Sequence, residues 1–453
     1  MHPRATLAAT ILGSSLAFID GSVVNVALPA LALNLKVGAS GLPWIINAYL
    51  LPVGALTLLG GALGDHYGRR RLFDAGLWVF TLASIACAAA PSLGWLLTAR
   101  GVQGLGAALL LPNSLAILGG AFAGEARGRA IGTWAAVGAL AGALGPIVGG
   151  WLVDGAGWRT IFLLNLPLAA GAGYLSWKYV EERRESLRAV PLDTTGAGLA
   201  TVGLGLLTWS LTDASKSGAA HPGAWSAALA GCALLGAFLW LEARLKERAM
   251  MPLVMFRAPA FVGLNLLTFF LYGSLGGLIV LLPFFLIRIG SWPAVAAGAS
   301  LLPLPALIGF GSRWMGRVSS RHGERMPLMV GAGLVAIGLA LFARVGVDSL
   351  NYWRDIFPPT LLIALGMTAC VAPLTTSVIA SVDGDHVGLA SGFNSAVARI
   401  AGLMATALLG FVFARQDSAQ SFLVGFHAAA LIGAASAALA GASAALLIVS
   451  RAK

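Results

Sequence analysis

The sequence predicts an all-α integral membrane protein with fourteen transmembrane helices, built as two six-helix bundles plus two extra central spans. Composition is the first observation behind this. Of 453 residues, 58% are hydrophobic and only 10% are charged, against about 25% charged in a typical soluble chain. The mean hydropathy of +0.85 agrees. The second is a series of apolar stretches, each long enough to cross about 30 Å of hydrocarbon as a helix. They run over 7–31, 43–64, 72–90, 93–119, 129–152, 159–179, 194–212, 224–241, 259–287, 294–315, 327–345, 355–381, 388–414 and 423–449. The third is a loop that recurs in the second half. These features exclude a water-soluble enzyme. They also exclude nucleic acid as a partner, despite the net charge of +11.

The basic residues set the topology. With a cytoplasmic N-terminus, twenty of the 29 Lys and Arg fall on inner segments and seven on outer ones, leaving Arg100 and Arg399 inside spans. The positive-inside rule then places both termini in the cytoplasm of a multi-pass plasma (inner) membrane protein, with an even number of spans. Anionic lipid is the natural contact for the inner charge. The first apolar stretch continues to about Leu31 without a small-residue cleavage site and reads as a retained span rather than a signal peptide.

Span 1 carries Asp20, the only acid well inside any span. It is the carboxyl group placed to take up and release a proton within the bilayer. Asn25 in span 1 and Asn47 in span 2 add polar groups that either line a cavity or hold helices together.

The loop after span 2 reads Gly61-Ala62-Leu63-Gly64-Asp65-His66-Tyr67-Gly68-Arg69-Arg70. Gly64 and Gly68 let two helix ends approach closely. Asp65 can pair with arginines or cap a neighbouring helix N-terminus. A pair made in one conformation and broken in another is a latch; the plain alternative is a solvated charge cluster. The loop after span 10, Gly316 to Arg325, again has Gly at its first and eighth positions and Arg at its tenth, with Ser320 where the first has Asp65. Duplicated halves with a site between them are the usual plan of secondary transporters. The boundaries read as 1–190, 191–250 for a two-helix insert, and 251–453.

Span 4 holds Arg100 with Gln103 one turn on, so the two share a face. An arginine inside the bilayer is expensive unless it faces a polar interior or snorkels to the interface. By residue count Asp20 lies about 16 Å and Arg100 about 10 Å below the outer end of its span, at 1.5 Å per residue. A long Arg side chain closes much of that gap. Asp20 and Arg100 are therefore expected to interact when Asp20 is ionised, the alternative being two independent polar sites. In span 5, Gly138 and Gly142 are four apart, as are Gly145 and Gly149, with Pro146 between. This makes a smooth groove for another helix and a bend that suits a hinge.

In the second half, Arg399 lies about eleven residues inside span 13 and is expected to face Ser391, Asn394 or Ser395. It either binds a substrate anion or holds an interior network. Trp134, Asn265 and Asn394 complete the substrate-cavity candidates. Cys87, Cys232 and Cys370 lie apart in apolar runs and read as core thiols. The six histidines are scattered and no Gly-x-x-x-x-Gly-Lys-Ser/Thr loop occurs. No metal, cofactor or ATP coupling is expected, and no enzyme. The expected partners are protons, a small-molecule substrate and membrane lipid, with a monomer as the unit.

These stretches carry a resemblance. The Gly61–Arg70 loop resembles the Gly-x-Leu-x-Asp-Arg-x-Gly-Arg-Arg signature of the major facilitator superfamily, with His66 replacing an Arg. The Arg100 segment is similar to that family's span-4 signature, and Gly138–Gly150 to its antiporter signature. The Asp20 segment, ending Ala27-Leu28-Pro29, resembles span 1 of the fourteen-span drug:proton antiporters, with Ser22 in place of Thr. Trp44–Leu51 and Trp158–Pro167 match that branch too. The resemblance implies a major facilitator fold and proton-coupled export of drug-like or amphipathic molecules by alternating access. In it Asp20, Arg100 and Gln103 couple protons; Gly61, Gly64, Asp65, Gly68, Arg69 and Arg70 form the latch; and Gly138, Gly142, Gly145, Pro146 and Gly149 form the hinge. A uniporter, or a carrier of one specific metabolite, is the alternative within the same fold.

Overall fold

Each of the fourteen apolar stretches falls on helix. In chain order the helices are α1 (Pro3–Asn34), α2 (Gly41–Tyr67), α3 (Arg69–Ala88), α4 (Leu93–Ala121), α5 (Gly124–Ala156), α6 (Thr160–Leu163), α7 (Asn165–Tyr179), α8 (Thr194–Ser217), α9 (Pro222–Leu245), α10 (Pro259–Arg288), α11 (Ala294–Ala299), α12 (Pro303–His322), α13 (Arg325–Leu341), α14 (Phe357–Ala380), α15 (Val387–Leu408), α16 (Gly410–Phe413) and α17 (Ala419–Leu447). The computed structural model describes every residue except 1–2, 39–40, 123, 183–192, 218–220, 246–252, 347–349, 383–386, 415–417 and 449–453. The bundle boundaries expected at 190–191 and 250–251 lie outside the described residues. So do the basic residues Arg183, Arg184, Arg188, Lys246, Arg248, Arg415, Arg451 and Lys453.

Among the described residues, thirteen helical segments are long and apolar enough to cross a membrane. The fourteenth expected span is α8, a 24-residue helix whose last turns carry Asp213 and Lys216. It packs along α9 and also touches α2 and α15, so the insert reaches the place where the halves meet. Three expected spans are broken helices: α6 and α7, α11 and α12, and α15 and α16. The second break falls where Pro303 opens α12; proline lacks the N–H that would continue the earlier ladder.

The two halves repeat one packing scheme. In the first, α1 packs on α5 and α7, and α4 packs on α2 and α3. In the second, α10 packs on α15 and α17, and α14 packs on α12 and α13. The recurrent loops match in backbone detail. Gly68 and Gly323 adopt φ of 110° and 84°, a region open chiefly to glycine. Each N–H donates back across 2.9 Å, to the carbonyls of Gly64 and Ser319. Eight residues after each stands a glycine pressed on the next helix pair. A Cβ on Gly76 would fall 2.8 Å from the Gly106 carbonyl oxygen, and one on Gly331 would fall 2.6 Å from that of Gly366. In lipid, where no hydrophobic force drives helices together, such close approach supplies the packing.

The halves meet along α2 and α15, between α1 and α10, and where α5 crosses α11. That last crossing is backbone on backbone. A Cβ on Gly150 would lie 2.5 Å from the carbonyl carbon of Ala294, and one on Gly298 would lie 2.2 Å from the carbonyl oxygen of Pro146. Asp154 clasps the same crossing: its Oδ1 and Oδ2 accept from the backbone N–H groups of Ala294 (3.2 Å) and Val295 (3.0 Å).

Cys87 and Cys370 are buried as expected, but Cys232 is exposed. It sits on α9, which packs mainly on α8 and turns its remaining faces outward.

Candidate transport site

Asp20 of α1 and Arg100 of α4 meet in an ion pair with essentially no exposed surface. Arg100 Nη1 donates to Asp20 Oδ2 and, at 2.7 Å, to Gln103 Oε1. Its Nε reaches the Ile45 carbonyl of α2 at 3.2 Å. Gln103 Nε2 donates to Asp20 Oδ1 at 2.7 Å and to Ser84 Oγ of α3 at 2.9 Å. The guanidinium also lies 4.4 Å from the ring centre of Tyr49 on α2. A buried charge persists only when paired and hydrogen-bonded, and this one is both. Asp20 is sealed from water in this conformation, and it faces donors rather than hydrocarbon.

Two members of the network escaped the sequence reading. Asn165, at the start of α7, donates to Asp20 Oδ1 at 3.1 Å and to Ser84 Oγ at 3.2 Å. An Asn or Ser in an apolar run is usually helix glue; only its place beside the Trp158–Pro167 stretch could have marked Asn165. The network ties together α1, α2, α3, α4 and α7.

The glycines of α5 receive α1. A Cβ on Gly138 would meet the Phe18 ring at 2.6 Å, one on Gly145 the Ser22 hydroxyl at 2.0 Å, and one on Gly149 the Val23 side chain at 2.4 Å. At Gly142 the nearest atom is 3.6 Å away, an ordinary contact. The helix bearing Asp20 is thus seated directly on the helix that forms the crossing with α11. Pro146 lies inside α5, which runs unbroken from Gly124 to Ala156.

At the α2–α3 loop, Asp65 Oδ1 accepts from Arg69 Nε at 2.8 Å, one turn away, with both side chains about half exposed. Arg69 Nη1 extends to the Ala116 carbonyl of α4 at 3.3 Å. The cap on α3 comes from Glu182, which the sequence reading did not single out: its oxygens accept from the backbone N–H of Arg70 (3.4 Å) and Arg71 (3.0 Å). Arg70 pairs with Asp74 at 3.5 Å. The tight glycines here are Gly60 and Gly64, whose Cβ atoms would fall 2.2 Å from the Ala108 carbonyl and 1.6 Å from Asn113 Oδ1. Gly61 has only Pro112 at 3.5 Å.

The cavity candidates separate into distinct places. Asn47 accepts from Thr406 Oγ1 across the α2–α15 contact. Trp134 Nε1 donates to Ser14 Oγ at 2.8 Å, and Ser14 donates on to Ser114 at 2.7 Å. Asn25 is buried in α1 with its side-chain oxygen unpaired. Asn394 donates to Asn265 Oδ1 at 3.1 Å and Thr268 Oγ1 at 2.6 Å, both on α10. Among the described residues Arg399 makes no hydrogen bond to Asn394 or to the other two expected neighbours, Ser391 and Ser395. Ser395 bonds back to the Ser391 carbonyl at 2.9 Å, and Arg399 lies instead where α15 meets α2. Its Cβ is 3.6 Å from the place a Cβ on Gly54 would take, within electrostatic reach of Tyr49. An apolar cavity of about 630 Å³ opens within the second half between α10, α13, α15 and α17, bordered by Phe269, Ser274, Phe342, Met404 and Phe426. None of the expected substrate-site residues borders it.

Comparison with known proteins follows the same lines. The family description "Major Facilitator Superfamily" matches residues 10–406. The chain is 35% identical over 424 residues to the multidrug resistance protein Stp of Mycobacterium tuberculosis (strain CDC 1551 / Oshkosh), covering 91% of this chain and 76% of that one. It is 31% identical over 405 residues to the methylenomycin A resistance protein of Bacillus subtilis (strain 168), covering 88% and 85%. It is 33% identical over 404 residues to the puromycin resistance protein pur8 of Streptomyces alboniger, covering 88% and 79%. Among solved structures it superposes on a D-xylose-proton symporter with a TM-score of 0.71 at 14% identity, covering 99% of both chains. A bacterial homolog of the human lysosomal transporter Spinster, inward-facing and unoccupied, gives 0.67 at 18%, again covering 99% of both.

Proposed function

The chain belongs to the Major Facilitator Superfamily, and we propose that it is a proton-coupled exporter of drug-like, amphipathic small molecules in the plasma membrane. Both termini are placed in the cytoplasm, and the unit is a monomer bounded by lipid. The bundles 1–190 and 251–453 rock about a central site, with 191–250 as the insert. The named relatives are resistance proteins, which supports outward transport as the direction.

One observation carries the coupling: every side chain within hydrogen-bonding distance of Asp20 points a donor at it. A proton added to that carboxyl brings a donor against donors. It also strips Arg100 of its counter-charge, and an unpaired buried ion is costly by several kcal/mol. The network must then loosen, freeing α1 from α4 and α7. Because α1 rests on the glycines of α5, and α5 forms the crossing with α11, the loosening reaches the joint between the halves. Protons entering from outside thereby favour one facing state and substrate from inside the other. The gradient supplies about 1.4 kcal/mol per pH unit for each proton moved.

In this reading Asp20, Arg100 and Gln103 couple the proton, and Asp65 with Arg69 and Arg70 steadies the inner loops. Asn25, Asn47, Trp134, Asn265, Asn394 and Arg399 serve the substrate path. The test uses purified protein in proteoliposomes with an internal pH dye and a compound panel. Substrates are expected to release protons from wild type. Asp20→Asn is expected to bind them yet move no protons; intact proton-driven uptake in Asp20→Asn overturns the assignment.

A further inference from the structure

The second half holds one charge for which the proton mechanism has no use. Arg399 is partly buried, a little past the middle of α15, with its Cβ against α2 at Gly54. Among the described residues it makes no hydrogen bond and no ion pair; its one electrostatic neighbour is the neutral phenol of Tyr49. The acids of 251–453 are Glu324, Asp348, Asp355, Asp383, Asp385 and Asp417. Glu324 and Asp355 stand at the start of a membrane segment, outside its interior, and the other four lie outside the described residues. Asp20, the nearby interior carboxylate, is already engaged by Arg100, Gln103 and Asn165.

Charge arithmetic then decides the sign of the site. Asp20 and Arg100 cancel, so Arg399 leaves the space between the halves with one net positive charge while Asp20 is ionised. A guanidinium at this depth is expensive to keep without an anion. A cationic cargo would add to that repulsion, whereas an anionic one removes it. The planar fork of arginine matches a carboxylate with two parallel hydrogen bonds.

We propose that Arg399 is the recognition group for the cargo and that the exported compounds are amphipathic organic monoanions, carboxylates foremost. This rests on the export reading above and narrows its substrate class. Tyr49 is within electrostatic reach of both arginines, so the anion site borders the network that holds Asp20.

The test separates the two readings by measuring binding apart from transport. Detergent-purified full chain is titrated with 2-naphthoate and salicylate as monoanions and with ethidium and tetraphenylphosphonium as monocations, following thermal stabilisation. Wild type is expected to be stabilised by the carboxylates and not by the cations. Arg399→Gln is expected to weaken the carboxylate half-saturation by about tenfold or more, as for loss of a charge-assisted pair, and Arg399→Lys by less. Should Arg399→Gln not fold, the Lys variant carries the test, since it keeps the charge and loses the fork. Stabilisation by the cations alone, or carboxylate binding unchanged in both variants, overturns the proposal. Carboxylate binding without any coupled proton movement in proteoliposomes leaves the anion site standing and overturns the export reading instead.

Discussion

Asn165 of α7 and Gln103 of α4 donate to the same oxygen of Asp20, at 3.1 and 2.7 Å. One carboxylate oxygen therefore couples two helices that are distant in sequence. Replacing Asn165 by Leu removes a hydrogen bond to a charged group, a contribution of about 1.5–3 kcal/mol. Chemical denaturation in detergent is expected to show that loss, with coupled proton release falling alongside it. A variant as stable as wild type means the Asn165 contact adds nothing.

The α1–α5 groove gives a prediction with an internal control. Gly145→Ala places a methyl 2.0 Å from Ser22 Oγ, whereas Gly142→Ala finds its nearest neighbour at 3.6 Å. Overpacking costs about 1–3 kcal/mol, so Gly145→Ala is expected to be destabilised and Gly142→Ala to stay within about 0.5 kcal/mol of wild type. Adding Ser22→Ala to Gly145→Ala is expected to restore part of the loss. Thermal unfolding of the four proteins decides it.

At the α2–α4 contact the same logic separates neighbours. A methyl on Gly60 would sit 2.2 Å from the Ala108 carbonyl, and one on Gly61 finds Pro112 at 3.5 Å. Gly60→Ala is expected to lower the melting temperature clearly and Gly61→Ala hardly at all. Equal melting temperatures would contradict the packing described.

Glu182 places a carboxylate on the first N–H groups of α3. Glu182→Gln is expected to cost about 0.3–1 kcal/mol, the usual interaction of a charge with a helix N-terminus. High salt is expected to shrink the difference, and a salt-independent loss would point to another cause.

Asp154 accepts from two backbone N–H groups of α11. With about 1 kcal/mol for each net hydrogen bond, Asp154→Ala shifts the balance between facing states by roughly tenfold or more, since 1.4 kcal/mol is a factor of ten. Spin labels on α5 and α12 at that end are expected to report a larger separated population; an unchanged distance distribution rules the clasp out as a gate.

Much of this was legible in the sequence because hydrocarbon punishes charge. Asp20 and Arg100 stand out in apolar runs for that reason, and counting residues along their spans was enough to bring them within reach. The glycine spacing of α5 was legible because close helix approach leaves few other residues that fit. Asn165 and Ser84 were not, since uncharged polar groups pair in many ways inside a bundle. Glu182 and Asp154 were hidden because an acid at a helix end looks like any solvated one. The partners of Arg399 were only partly legible: Asn394, five residues back, is about 140° round the helix, while Ser395, one turn back on the same face, bonds to the Ser391 carbonyl instead.

The crossing of α5 and α11 consists of bare peptide planes at Gly150, Ala294, Pro146 and Gly298. Parting it requires no rotamer to be re-sorted, because almost no side chain interlocks there. Among the described residues only the Ala294 and Val295 N–H groups, from which Asp154 accepts, have their bonds across the crossing. Such a joint resists separation only through contact area and one acidic clasp, so it can part and reseat many times along the same path with little friction.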